Sequence, residues 1–175
     1  LWATLEDPIR GQHKIVLTFF SPSGYELRND YSGADYIFYL PLDTRANARR
    51  FTSLIDPKLT VFIKYEFWFH FLSEIDRRKI PAVMISAAFR KNHFLFSALA
   101  YPIKKVMMRF RKIFVQDESS VQLLKQNGFA NAQLAGDTRF DRVWEIASSP
   151  KQIPLLETFA SKKKLLVAGS TWQPD

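Results

Sequence analysis

The chain has 175 residues, 47% hydrophobic and 24% charged, a composition that excludes a disordered polypeptide and suffices for one α/β domain with part of a second. It contains no cysteine, which excludes disulfides and thiolate metal sites, and His13, His70 and His93 show no metal-ligand spacing, so no metal is expected. A net charge of +8 with a pI near 9.8 points to an anionic partner, while no run approaches the ~20 apolar residues of a membrane-spanning helix.

Residues 14–20 are β-branched and aromatic and predict a strand that Ser21-Pro22-Ser23-Gly24 breaks. Residues 35–40, 59–64, 82–87, 112–116, 133–136 and 165–169 predict six more strands. Helical patterns alternate with them. Asp43 predicts the cap of a helix reaching about residue 55, and residues 65–79 predict another. Residues 93–111 predict the longest helix, kinked at Pro102. A short helix over 119–127, capped by Asp117 or Ser119, closes on Gly128, and 139–147 follows.

Strands separated by helices of this length predict right-handed βαβ units, hence an α/β fold with a Rossmann-like parallel sheet and helices on both faces. The strands are apolar throughout rather than alternating, as burial of both sheet faces requires. Residues 151–164 are polar and lysine-rich between Pro150 and a new strand, so a first domain is expected over 1–160 and the start of a second over 161–175. Leu1-Trp2-Ala3-Thr4-Leu5-Glu6 reads as the tail of a helix, and Gln173-Pro174-Asp175 follows a strand and a helix start. The expectation is a piece of a longer enzyme.

Ligands of open parallel sheets bind at the carboxyl ends of the strands. After the first strand, Ser21-Pro22-Ser23-Gly24-Tyr25-Glu26 is either an anion-binding small-residue loop or a plain strand-to-helix turn. After the third, Lys64-Tyr65-Glu66-Phe67-Trp68 places an acid that is either a helix cap or a cleft carboxylate. Ser86-Ala87-Ala88-Phe89-Arg90-Lys91-Asn92 follows the fourth strand and Gln116-Asp117 the fifth. Arg139 stands out after the Gly136-Asp137-Thr138 turn, whereas Asp141 and Arg142 read as a surface pair. Ser170 and Thr171 lie in a hydroxyl-rich loop that suits phosphate or a helix cap.

Between residues 77 and 116 there is no acid, and the cations there interleave with aromatics. On a helix from His93, Lys105, Arg109 and Lys112 line one face beside an apolar stripe, and Phe96 and Tyr101 lie off that stripe. Such a helix is either interfacial, touching lipid through Phe96, Tyr101, Lys104, Lys105, Arg109 and Lys112, or buried with a solvated charged edge. Cations with aromatics also suit single-stranded nucleic acid, but no nucleic-acid motif is present and no such partner is expected.

The stretches Leu17-Thr18-Phe19-Phe20-Ser21-Pro22-Ser23-Gly24-Tyr25-Glu26, Tyr65-Glu66-Phe67-Trp68, Ile85-Ser86-Ala87-Ala88-Phe89-Arg90, Gly136-Asp137-Thr138-Arg139-Phe140-Asp141 and Ala168-Gly169-Ser170-Thr171-Trp172 occur in that order. Together they resemble the 3-deoxy-manno-octulosonic acid (Kdo) transferase family of inverting glycosyltransferases. The resemblance implies the N-terminal half of a GT-B fold, which binds the lipid A precursor, while a C-terminal half binds CMP-Kdo. It implies transfer at the cytoplasmic face of the bacterial inner membrane, with no cofactor beyond the nucleotide sugar.

By the same resemblance Glu66 and Arg139 stabilise the transition state, and the general-base Glu lies on a strand and turn before Leu1. Ser21, Ser23, Gly24, Tyr65 and Arg90 are the implied acceptor residues and Ser170 and Thr171 the donor-side ones. Many members carry Asn-x-Lys where this chain has Asp137-Thr138-Arg139, replacing a point charge by a bidentate one. The competing functions are a GT-B enzyme with another nucleotide sugar, and a non-catalytic anionic-lipid or nucleic-acid module.

Overall fold

The computed structural model describes residues 13–149 and 153–160. The chain divides into two compact units, Leu1–Thr138 and Arg139–Asp175. The predicted strand at 165–169, and with it Ser170 and Thr171, lies outside the described residues.

The first unit runs β1 (Val16–Phe19), α1 (Pro22–Glu26), β2 (Tyr36–Tyr39), α2 (Arg45–Ile55), β3 (Thr60–Ile63), α3 (Phe69–Arg77) and β4 (Ala82–Ala87). Two 3₁₀ turns, Phe94–Phe96 and Ala98–Ala100, lead into α4 (Tyr101–Met107), β5 (Lys112–Val115), α5 (Glu118–Gln126) and β6 (Ala132–Leu134). All strand pairs are parallel, and helices cover both faces, as expected for a Rossmann-like α/β fold.

The sheet is split: β1 pairs with β2, and β3-β4-β5-β6 form a separate four-stranded ladder. The core lies in the four-stranded part. Leu72 of α3, Met84 of β4, Ile113 and Val115 of β5, Leu124 of α5 and Phe129 are all fully buried in one cluster. Gly128 closes α5 at φ +88°, a left-handed conformation that disfavours a side chain, and so turns the chain to bury Phe129.

Three helical expectations change. Residues 93–111 do not form one helix, because Ser97 is extended and Pro102 sits in the first turn of α4. A proline without an N–H fits a helix start better than an interior. Asp43 does not cap α2; Thr44 does, its Oγ1 accepting from Asn47 N at 3.2 Å. Asp43 reaches instead to α3, accepting from His70 N at 3.0 Å and Phe71 N at 3.1 Å, so it ties the two sheets' helices together. That helix starts at Phe69, leaving residues 65–68 as a loop.

In the second unit the helix Thr138–Ser148, begun by the last residue of the first, and α7 (Pro154–Ala160) are described; the former is α6. Phe140, Trp144 and Phe159 are exposed there. Arg142 pairs with Glu145 at 2.6 Å rather than with Asp141.

Candidate functional site

The loops after the strands of the first unit are stitched to one another at their carboxyl ends. β1 runs into Phe20, and Pro22 starts α1 at once, so Ser21-Pro22-Ser23-Gly24 is a strand-to-helix turn in which the Ser21 and Ser23 hydroxyls bond at 2.7 Å. A Cβ on Gly24 would come within 2.9 Å of the Phe19 ring, so glycine is required there for α1 to lie on the end of β1.

β3 is followed at once by Lys64 at φ +60°, a strained conformation for a residue with a side chain. The loop that follows leaves Glu66 exposed, with the Trp68 indole N–H donating to its Oε2. Glu66 is therefore a surface carboxylate held by a neighbour, and α3 has no side-chain cap from this loop. The Trp68 ring lies 4.5 Å from Phe20, so the loops after β1 and β3 meet. Tyr65 turns the other way, its Oη donating to Ala88 O at 2.6 Å and joining the β3 and β4 loops.

At the end of β4 the register slips between Met84 and Ala87, a bulge that holds Ser86 at φ +56°. The Gln116 amide, just past β5, donates to the Ser86 carbonyl and hydroxyl at 3.0 Å each. Thr138 Oγ1 lies 3.3 Å from the same hydroxyl, so the ends of β4, β5 and β6 converge on one buried serine. The carboxyl-end rule pointed to Gln116, but nothing in the sequence marks a bulge at Ser86.

His93 is a further group that its spacing gave no reason to single out. Its ring lies among those of Tyr65 (5.5 Å), Phe67 (5.7 Å), Phe89 (5.2 Å) and Phe96 (6.1 Å), and its Nδ1 accepts from Leu95 N. Burial pushes its pKa below the ordinary value, which favours the neutral imidazole. Phe96 thus turns inward, against its expected place at a lipid surface, because it completes this cluster. Arg90 is exposed beside it, its carbonyl accepting from His93 N.

The acid-free stretch carries less free charge than its sequence suggests, since acids from outside it fold against it. Arg77 and Arg78 both bind Glu74, and Arg109 binds Asp76. Lys104 lies 5.9 Å over the Phe129 ring and is half-buried. Lys105 and Lys112 remain exposed, as do the apolar Phe94, Leu99 and Tyr101. A shallow groove of about 560 Å³ between α2 and α3 is lined by Arg49, Arg50, Arg77 and Arg78 around Glu74, and includes none of the expected site residues.

Arg139 is exposed in the first turn of α6 and belongs to the second compact unit, whereas Glu66 belongs to the first. Among the described residues no three His, Asp or Glu side chains cluster as metal ligands do, and no helix is long and apolar enough to cross a membrane.

Three comparisons with known proteins bear on the fold and the family. The fold is similar to that of UDP-N-acetylglucosamine 2-epimerase from Rickettsia bellii, with a TM-score of 0.58 at 14% identity over 83% of this chain and 43% of that one. The chain is 28% identical over 164 residues to a 3-deoxy-D-manno-octulosonic acid transferase of Aquifex aeolicus (strain VF5), covering 93% of this chain and 40% of the relative. It is 24% identical over 131 residues to a protein of the same description from Haemophilus influenzae (strain ATCC 51907 / DSM 11121 / KW20 / Rd), covering 73% of this chain and 31% of the relative. The chain therefore spans less than half the length of either. The family model described as 3-deoxy-D-manno-octulosonic-acid transferase (kdotransferase) matches residues 3–142, and the chain belongs to that family.

Proposed function

We propose that this chain is the acceptor side of an inverting glycosyltransferase that moves Kdo from CMP-Kdo to a lipid A precursor at the cytoplasmic face of the bacterial inner membrane. The observation that carries the reading is the Glu66 loop. Its carboxylate is exposed at the carboxyl end of β3, held by Trp68, which in turn rests on Phe20 beside Ser21 and Ser23. A carboxylate steadied from one side presents its remaining lone pairs to a hydroxyl or to a sugar gaining positive charge.

In this reading Ser21, Ser23, Tyr65 and Arg90 bind the phosphorylated acceptor, while Gly24 acts by letting α1 approach β1. Glu66 stabilises the sugar's oxocarbenium-like transition state or orients the acceptor. Arg139 offsets the charge that builds on the departing CMP phosphate. Ser170 and Thr171 contribute to donor binding. The general base comes from a glutamate outside this sequence, and CMP-Kdo is bound mainly by a further domain, with no other cofactor. The exposed Phe94, Leu99 and Tyr101, together with Lys105 and Lys112, rest on the anionic membrane.

The test is the full-length polypeptide incubated with CMP-Kdo and lipid A precursor, following CMP release. Release should require the lipid, and Glu66→Gln should lower kcat on the order of 100-fold with little change in KM. Lipid-independent release would overturn the proposal. Charge reversal at Lys105 and Lys112 should weaken flotation with anionic liposomes, and unchanged flotation would remove the membrane contact. The 175-residue chain alone should show no turnover.

A further inference from the structure

The arginine groove between α2 and α3 lies apart from the strand-end loops that hold Ser21, Ser23 and Glu66. Glu74, Arg77 and Arg78 come from the last turn of α3 and just beyond it, whereas the Glu66 loop leads into that helix's first turn. α3 has 9 residues, so at ~1.5 Å per residue roughly 12 Å of helix separates the two places.

Two of the four arginines are fixed. Glu74 is buried; its Oε1 accepts from Arg77 Nη2 at 2.6 Å and from Arg78 Nε at 2.8 Å, and its Oε2 accepts from Arg77 Nε at 2.8 Å. Arg78 also reaches across to α2, its Nη1 donating to Thr52 O at 3.5 Å. A guanidinium has more N–H groups than these bonds use, so both arginines keep donors for another partner. The other two meet no acid. α2 carries Arg45, Arg49 and Arg50 and no Asp or Glu, so no pair within the helix neutralises them. The acids that flank it are taken, Asp43 by the α3 amides and Asp56 by Lys58 at 2.7 Å. Among the described residues neither Arg49 nor Arg50 has an ion-pair partner.

Four guanidinium charges against one carboxylate leave a formal +3 in the groove. Like charges gathered from two helices repel one another, and a bound anion removes that cost. The lining selects among anions, because besides the charged groups it holds only Ala46 and Ser53. A lipid surface needs apolar side chains to bury, single-stranded nucleic acid needs rings to stack on, and a peptide needs a pocket for an apolar or aromatic anchor. The groove offers none of these. One phosphoryl group carries a charge of about −1.5 to −2, and two linked groups carry roughly −3, which matches it. The planar guanidinium fork also fits phosphate oxygens in pairs.

We propose that the groove is a binding site for a soluble diphosphate-bearing anion, held by Arg49 and Arg50 of α2 and by Arg77 and Arg78 at the end of α3. Glu74 is the positioning residue that orients the α3 pair. When occupied, the site links α2, which follows the largely exposed β2, to α3, which packs on the main core. It is separate from the sugar-transfer reading and does not depend on it.

The test is calorimetric titration of the full-length polypeptide with inorganic pyrophosphate, free of divalent metal. Pyrophosphate should bind at least about tenfold more tightly than inorganic phosphate, because only the larger anion matches the charge. Arg49→Gln combined with Arg50→Gln should weaken its binding at least about tenfold, the loss expected when hydrogen bonds to a charged group are removed. Both side chains are exposed, so the doubly substituted protein should keep the wild-type Tm, with lipid-dependent CMP release within about twofold. Equal binding by wild type and variant would place the pyrophosphate elsewhere and overturn the proposal. Phosphate binding as tightly as pyrophosphate, or no binding of either, would overturn it too. So would flotation with phosphatidate vesicles that the substitutions abolish and pyrophosphate does not compete away, since the arginines would then serve a lipid surface. None of these outcomes bears on CMP release, so the sugar-transfer reading stands or falls separately.

Discussion

The two ladders of the first unit differ in what holds them. Around β4 and β5, Met84, Ile113, Val115 and Leu124 are wholly buried, and helices α3, α4 and α5 supply their cover. Along β1, β2 and α1 no residue is buried, and the ladder is anchored by individual contacts: Phe20 on Trp68, and Asp43 on the start of α3. Stability is concentrated in one part of the sheet, and the Ser21, Ser23 and Glu66 loops hang from the seam beside it. Site elements drawn from the less stable part of a fold have room to adjust to a ligand.

The largest test of this contrast removes core volume on each side. Phe129→Ala should cost about 3–5 kcal/mol of unfolding free energy by denaturant titration, and Leu17→Ala of half-buried β1 roughly half that or less. Equal losses would mean that the two ladders share one core.

Next is Ser120, fully buried, whose Oγ accepts from Phe89 N at 2.7 Å and so locks α5 to the segment after β4. Ser120→Ala leaves that amide unsatisfied and should cost about 1–3 kcal/mol.

Glu74 sharpens the comparison through pH. Hydrogen bonds from Arg77, opposed by burial and joined by those from Arg78, pull its pKa from 4.5 to about 2. Folding therefore disfavours its protonation. The stabilisation is complete above about pH 4.5 and is lost as the pH falls through 2. Screening at the exposed Arg77 keeps the effect to about 1–2 kcal/mol, and Glu74→Gln should flatten the acid limb of the stability curve by that amount. The smallest effect is at Asp43. Asp43→Ala should cost about 1 kcal/mol and loosen β1 and β2 more than β4, read as faster amide exchange at Leu17 than at Met84.

Strand positions were legible because both faces of a parallel sheet are covered, so apolar β-branched runs mark them; 82–87 agrees to the residue with β4. The 93–111 helix was misread because its apolar spacing recurs equally well in 3₁₀ turns packed around His93. The charge pairing of the basic stretch was legible only in part: Glu74 meets Arg77 and Arg78 within one turn of its own helix, whereas Asp76 meets Arg109 from 33 residues away.

Local chemistry along the chain was enough to determine the alternation of strands and helices, the turns at Pro22 and Gly128, and the family motifs from Ser21 to Arg139. Those properties depend on neighbours a few residues apart. Tertiary structure alone decided that Asp43 caps a helix 27 residues away, that Ser86 gathers Gln116 and Thr138, and that the sheet parts between β1 and β3. Each of these joins groups distant in sequence, and only the packing of sheet and helices brings such groups within hydrogen-bonding reach.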